Sequence, residues 1–218
     1  MDIKINRHTV IVFDLDDTLY NELDYLKSAY RFIAKNLEQN NWKTLYSIMF
    51  SLYRSNENVF KYLATKYNTE VTSLVEMYRN HNPDIQLFDG VLDIMNSIKA
   101  KQGKLGIITD GRVKTQSAKL KSLGIEHLFD HIVISEALGS EKPNEVNYKT
   151  IESTLSGKVY YYIADNIKKD FISPNALGWK TVGLIDNGLN IHSNAYLYPN
   201  REHMPQFFIE SYKEMHIL

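Results

Sequence analysis

Five short apolar runs, each stopping at a hydroxyl or acidic residue, constrain this chain more than any other feature. Thr9-Val10-Ile11-Val12-Phe13 runs into Asp14, and Leu105-Gly106-Ile107-Ile108 ends at Thr109-Asp110-Gly111. Ile132-Val133-Ile134 stops at Ser135-Glu136, Val159-Tyr160-Tyr161-Tyr162-Ile163-Ala164 at Asp165, and Thr181-Val182-Gly183-Leu184-Ile185 at Asp186. Such short β-branched and aromatic runs read as strands buried on both faces, the condition of parallel strands. Between them, helical spacing appears in Val91, Leu92, Met95 and Ile98, in Val113, Ala118, Leu120 and Leu123 before Gly124, and in Val146, Ile151 and Leu155 after Pro143. This alternation predicts a doubly wound, Rossmann-like α/β fold with a mostly parallel sheet. In that architecture ligands bind beyond the carboxyl ends of the strands, where the strand order reverses. The acidic and hydroxyl residues that end the runs fall at those ends.

Residues 20–84 break the pattern. They hold no strand-like run, and Tyr25, Ala29, Phe32, Ile33 and Leu37 have helical spacing. Further helices are expected over 42–53, 57–67 and 71–78. The reading is a small α-helical cap domain over 20–84, inserted into an α/β core made of 1–19 and 85–218. Periodicity does not separate aromatics that pack the cap from aromatics that would cage a ligand.

Composition excludes several classes. With 218 residues, 44% of them hydrophobic, the chain has the material for a large core and is not a disordered sequence. A net charge of −1 gives no field to draw it onto a nucleic acid polymer or an anionic membrane. No cysteine means no thiolate metal site and no thiol nucleophile. No apolar run approaches the roughly 18 residues of a membrane helix. The opening MDIKINRH leads into no signal-type apolar region. A cytoplasmic protein without a membrane partner is expected, and the sequence leaves the oligomeric state open.

Chemistry concentrates in Asp14-Leu15-Asp16-Asp17-Thr18. In a strand-like geometry Asp14 and Asp16 point the same way. Two such carboxylates repel unless one is protonated or a cation neutralises them, and a hard divalent ion suits oxygen ligands. One could then attack while the other moves a proton. An acidic turn with Thr18 capping a helix stands as the alternative. Asp110 and Gly111 after Thr109 could hold an anion on exposed N–H groups, or form an ordinary turn. Lys142, in Glu141-Lys142-Pro143, is out of place before a helix N-terminus unless it faces an anionic centre or solvent. Asp165, Asn166 and Asp170 offer carboxylates for a metal site, or a capped junction.

Taken in order, the four segments Asp14-Leu15-Asp16-Asp17-Thr18, Ile108-Thr109-Asp110-Gly111, Glu141-Lys142-Pro143 and Ala164-Asp165-Asn166-Ile167-Lys168-Lys169-Asp170 resemble the motifs of the haloacid dehalogenase (HAD) superfamily. The resemblance covers nearly the whole chain, with a helical cap between the first two motifs. It implies a phosphatase in which Asp14 takes the phosphoryl group and Asp16 protonates the leaving oxygen and then activates water. Thr109 would hydrogen-bond the phosphoryl oxygens, and Lys142 would offset their charge. Mg²⁺ would be held by the Asp14 carboxylate, the Asp16 backbone carbonyl and Asp165. Asp170 would support the metal's water shell or Lys142, and Thr18 would buttress the loop. Ala164 and Asp110 stand where many relatives have glycine and asparagine. The dehalogenases of the superfamily lack a counterpart of Asp16, so that residue favours phosphatase chemistry.

The expected substrate is a small phosphate monoester, a sugar phosphate or nucleoside monophosphate, with the cap excluding water and selecting the leaving group. A phosphomutase of the same superfamily, or a non-catalytic protein binding phosphate ligands, are the other readings. No i, i+4 histidine pair, Gly-x-Ser-x-Gly elbow or phosphate-binding P-loop occurs. Arg112, Gln116 and the cap's tyrosines could touch substrate, but read more readily as helix-surface or packing residues. Specificity would lie in the cap, with segment 186–199, where Asn187-Gly188-Leu189-Asn190-Ile191-His192 leaves the fifth run, as a second candidate of open role, and Pro205 to Ile209 is read as an added edge strand.

Overall fold

The computed structural model describes residues 1–218. Its strands are β1 (Asp2–Ile3), β2 (Thr9–Phe13), β3 (Lys104–Thr109), β4 (His131–Ile134), β5 (Val159–Ala164), β6 (Lys180–Leu184), β7 (Phe207–Ile209) and β8 (His216–Ile217). Six of them form a wholly parallel sheet in the order β4-β3-β2-β5-β6-β7, and β1 pairs with β8 in a separate two-stranded sheet. The fold is therefore the expected α/β type, and the expected edge strand is β7. By contact density the chain divides into two compact units, 1–22 with 86–218 and 23–85.

In the first unit the crossovers run through α5 (Val91–Ala100), α6 (Val113–Ser122), α7 (Ser135–Leu138), α8 (Glu145–Leu155) and α9 (Ile172–Ala176). All five residues of β2 are buried, with Val10, Ile11, Val12 and Phe13 at 0% exposure. Burial at roughly 1.5–3 kcal/mol per large apolar side chain makes β2 the natural centre of the sheet. Around it Tyr148, Ile151 and Leu155 of α8 pack against Val10, Val12, Ile108 and Tyr162. Trp179 closes this core and donates its indole N–H to Glu152 Oε1 at 2.9 Å.

Strand order decides where a site can form. From β2 the chain steps outward to β3 and β4, then crosses back so that β5 lies on the other side of β2. The carboxyl ends of β2 and β5 thus flank the point where the order reverses, and a crevice forms there. Register sets the levels: Phe13 pairs with Ile163 and with Ile107. Asp14 and Thr109, one and two residues beyond those levels, therefore emerge beside each other and beside Asp165.

The second unit holds most of α1 (Glu22–Leu37) together with α2 (Trp42–Arg54), α3 (Val59–Tyr67) and α4 (Val71–Asn80). Leu26, Ile33, Leu45, Met49, Leu63 and Leu74 make its core. Tyr30 meets Tyr53, Phe60 and Tyr78 edge-on, with centroids 6.3–6.5 Å apart. These aromatics pack on one another, which is the packing alternative of the sequence reading. No helix of the chain is long and apolar enough to cross a membrane.

Candidate active site

The strand ladder carries one residue past β2, where the Asp14 N–H donates to Ile163 O at 2.9 Å. Asp17 then adopts φ 54° and turns the chain. Its carboxylate fixes the turn by accepting the N–H groups of Glu22 at 2.7 Å and Ile191 at 2.8 Å. The turn comes after both aspartates that strand alternation would align. Asp14 and Asp16 still line one cavity, with Asp17, Glu22, Thr109, Asp110, Asp165, Asn166, Lys169 and His192. They are held by different lysines.

Asp14 Oδ1 lies 2.7 Å from Lys142 Nζ, and the same ammonium lies 2.7 Å from Asp170 Oδ1. Lys142 and Asp170 are almost fully buried, so Lys142 faces an anionic centre and not solvent. Of the two roles open to Asp170, support of Lys142 is the one seen. Asp170 Oδ2 also accepts the Asn166 N–H at 3.0 Å. Asp165 accepts the Thr18 hydroxyl at 3.1 Å on Oδ1 and the Asn190 amide at 3.0 Å on Oδ2. Thr18 is thus a buried brace for Asp165. Asp110 takes the Lys142 N–H at 3.1 Å and pairs with Lys169 Nζ at 2.5 Å.

Asp16 has a separate set of partners. Its Oδ1 is 2.7 Å from Lys119 Nζ and accepts the Tyr20 hydroxyl, while Oδ2 accepts from Gln116 Nε2 at 3.0 Å. Burial works to raise its pKa, but Lys119 and these hydrogen bonds prevail and hold it below the usual carboxylate value. In the resting arrangement Asp16 is ionised.

The anion site expected at the start of α6 is not available on two of its N–H groups. Gly111 donates its N–H to Ser135 Oγ at 2.8 Å, and Val113 donates to Glu136 Oε2 at 2.8 Å. A side-chain carboxylate from the next crossover therefore occupies this helix end, where an anion is favoured. Gln116 is not a surface residue but a buried one.

Oxygens of Asp14, Asp165 and Asp170 lie within 4.8 Å of one another. Lys142 neutralises only part of that charge. Burial first, then Asp170, pushes Asp14 up to about 7 against the pull of Lys142. Asp165 is pushed well above the normal range by burial and by Asp170, Asp14 and Asp17. An all-oxygen donor set carrying excess negative charge fits a hard divalent cation, which would reverse both shifts.

The same crowding makes a prediction for protein freed of divalent ions. Burial raises Asp14 to about 7, Asp17 to about 6 and Glu22 to about 8. Each folded-state value exceeds its unfolded one, so the folded chain retains protons that the unfolded chain has released. Stability is then greatest at the acidic end of this window and falls as pH rises from about 5 to about 8, by up to about 1.4 kcal/mol per proton per pH unit. His192, held below its usual value by burial, opposes this with one proton. Calorimetry at several pH values should show Tm rising as pH falls across that window. A flat or opposite trend contradicts the crowded-carboxylate account.

Sequence reasoning missed Glu22 and Lys119. It named Asn190 and His192 only within the segment after β6, without a role for either, and the Asp186–Asn190 turn, tied by the Asp186 carboxylate to the Gly188 and Asn190 N–H groups, brings them in.

A wholly parallel sheet with a buried aspartate-and-lysine centre at its switch point is an α/β fold carrying a built polar site, and comparison with known families says which one. The chain belongs to the haloacid dehalogenase-like hydrolases, whose family model matches residues 11–184. It is 29% identical over 193 residues to glyceraldehyde 3-phosphate phosphatase of Methanocaldococcus jannaschii, covering 80% of this chain and 84% of that protein. With pyrimidine 5'-nucleotidase YjjG of Escherichia coli it shares 27% identity over 149 residues, 62% of this chain and 66% of that one. Among solved structures, the HAD-hydrolase YfnB of Bacillus subtilis, bound to magnesium, superposes with a TM-score of 0.67 at 21% identity over 96% of this chain and 97% of the other.

Proposed function

We propose that this protein is a Mg²⁺-dependent phosphatase that hydrolyses a small cytoplasmic phosphate monoester through a phosphorylated Asp14. The observation that carries the reading is the convergence of Asp14, Thr109 and Asp165 on one cavity, with Lys142 bonded to Asp14 at 2.7 Å. Relatives that act on glyceraldehyde 3-phosphate and on pyrimidine nucleotides support a small monoester as substrate.

Phosphoryl transfer asks a protein for positioning and for charge stabilisation. In the proposed reaction the Asp14 carboxylate attacks phosphorus and the ester P–O bond breaks. The leaving oxygen takes a proton from Asp16, which is ionised at rest and first receives that proton from the bound phosphate monoanion. Water then attacks the aspartyl-phosphate, its proton passes to Asp16, and phosphate departs from Asp14. The first half needs Asp16 protonated; the second needs the ionised form that Lys119 favours. Lys142 fixes the rotation of Asp14 and offsets the repulsion between carboxylate and phosphate. Thr109 donates its hydroxyl hydrogen to a phosphoryl oxygen. Mg²⁺ would be held by the Asp14 carboxylate, the Asp16 carbonyl and Asp165, and when bound it supplies charge neutralisation for the phosphoryl group. Thr18 and Asn190 keep Asp165 in place for it, while Asp170 and Asn166 keep Lys142 in place. Helical unit 23–85 is proposed to act as the cap that selects the leaving group.

The test is phosphate release from a panel of sugar phosphates and nucleoside monophosphates, with p-nitrophenyl phosphate as a general substrate. Release is expected with Mg²⁺ and should fall to background with EDTA. Release from none of them contradicts the reading, and transfer to a sugar without phosphate release would make the protein a phosphomutase.

A further inference from the structure

Lys119 is a buried lysine on a helix whose other lysines, Lys114 and Lys121, are exposed. A buried ammonium is costly unless it is paired, so its placement calls for a cause. Gln116 lies one turn before it on α6, at the i, i+3 spacing that puts both on one face. Both side chains are directed at Asp16: Lys119 Nζ lies 2.7 Å from Oδ1, and Gln116 Nε2 lies 3.0 Å from Oδ2. Gln116 Nε2 also donates to Thr109 Oγ1 at 2.5 Å.

The chemistry of these partners fixes the orientation of the amide. A carboxylate paired with Lys119 at 2.7 Å accepts, so the Gln116 NH₂ faces Asp16, and its second hydrogen is then free for Thr109. Because the Thr109 oxygen accepts that hydrogen, its own O–H is left to donate elsewhere, toward a phosphoryl oxygen. One amide thereby sets two groups that the proposed reaction uses. The backbone leaves room for it. Gly111 has φ +134°, and a Cβ there would meet Gln116 Cδ at 3.2 Å and Cγ at 3.3 Å.

We infer that Gln116 and Lys119 are positioning residues, a clamp on α6 that holds the Asp16 carboxylate and the Thr109 hydroxyl in one fixed arrangement for phosphoryl transfer. This rests on the phosphatase reading and deepens it. Lys119 and Gln116 act through Asp16 and Thr109, so removing them matters only while those partners are present.

The experiment is a double-mutant cycle on the full chain with Asp16→Asn and Lys119→Met, read in two ways. With p-nitrophenyl phosphate and Mg²⁺, Lys119→Met alone is expected to lower kcat on the order of 10- to 100-fold with KM little changed. In the Asp16→Asn background it should cost little more, and Lys119→Arg should recover much of the loss. Thermal unfolding without turnover gives the second reading. The double variant should melt about 3 °C or more above the sum of the two single losses, because it removes both members of the Lys119–Asp16 pair together. Lys119→Gln carries the same cycle if Lys119→Met does not fold. Losses in kcat that multiply across the cycle overturn the positioning role, and additive losses in Tm overturn the pair itself. Absence of turnover in the wild type would sink the phosphatase reading instead, and the melting cycle would still decide whether Lys119 is built for Asp16.

Discussion

Replacing Asp14 by asparagine is expected to reduce phosphate release on the order of 10⁴-fold or more, with the fold intact. The amide is close in size to the carboxylate and removes the nucleophile. It also removes one of three carboxylates crowded within 4.8 Å. Burial and Asp170 disfavour ionised Asp14, so its neutral replacement should leave Tm unchanged or slightly raised. Steady-state kinetics beside calorimetry separates the two effects. Near-full activity in Asp14→Asn, in a preparation free of other phosphatases, contradicts the proposed role.

Lys142→Met should produce the other large effect, this time on both stability and rate. Lys142 Nζ has 1% side-chain exposure and sits 2.7 Å from both Asp14 and Asp170. Truncating it strands two carboxylates. Breaking a buried ionic group on one side costs about 3–5 kcal/mol. At this chain length, each kcal/mol moves Tm by about 2–4 °C. A fall of roughly 6–20 °C follows, with turnover lost on the order of 100-fold or more because a charge-stabilising group is gone. Adding Asp170→Asn should restore part of the stability but little of the rate, since one stranded charge is removed while the phosphate still lacks its cation. A Tm within about 2 °C of wild type for Lys142→Met would show that the lysine is not the counter-charge of this cluster.

Much of the fold was legible because the sheet is parallel and central. Burial on both faces forces β2, β3 and β5 to be continuous apolar runs, and such runs stop where the chain meets the polar crevice. Asp14, Thr109 and Asp165 could therefore be read as strand-end residues without coordinates. The helices of unit 23–85 were legible from spacing, but whether their aromatics pack together was not, since a packed ring and a ligand-facing ring have the same period.

Other parts of the site were hidden for physical reasons. Lys119 looks like Lys114 and Lys121 in the sequence, and its burial and its ion pair with Asp16, 103 positions away, distinguish it. Gln116 likewise gains its meaning from Asp16, 100 positions earlier. Glu22 enters the cavity because Asp17 turns the chain at φ 54°, a local conformation for which the motif gives no hydrophobic signal. Asn190 reaches Asp165 across 25 positions through a loop without regular structure. Alternation predicted Asp14 and Asp16 side by side. They line one cavity, although the strand ends before them and each is paired with its own lysine.

The central claim is that Asp14 becomes covalently phosphorylated during turnover. It is tested most directly by quenching the protein in acid while it turns over a phosphate monoester with Mg²⁺, then reducing it with borohydride and mapping its peptides. Borohydride converts an aspartyl-phosphate to homoserine, so the expected result is homoserine at Asp14 alone, absent without substrate and absent in Asp14→Asn. Turnover-competent protein with Asp14 unmodified, or with the label at another carboxylate, would contradict it.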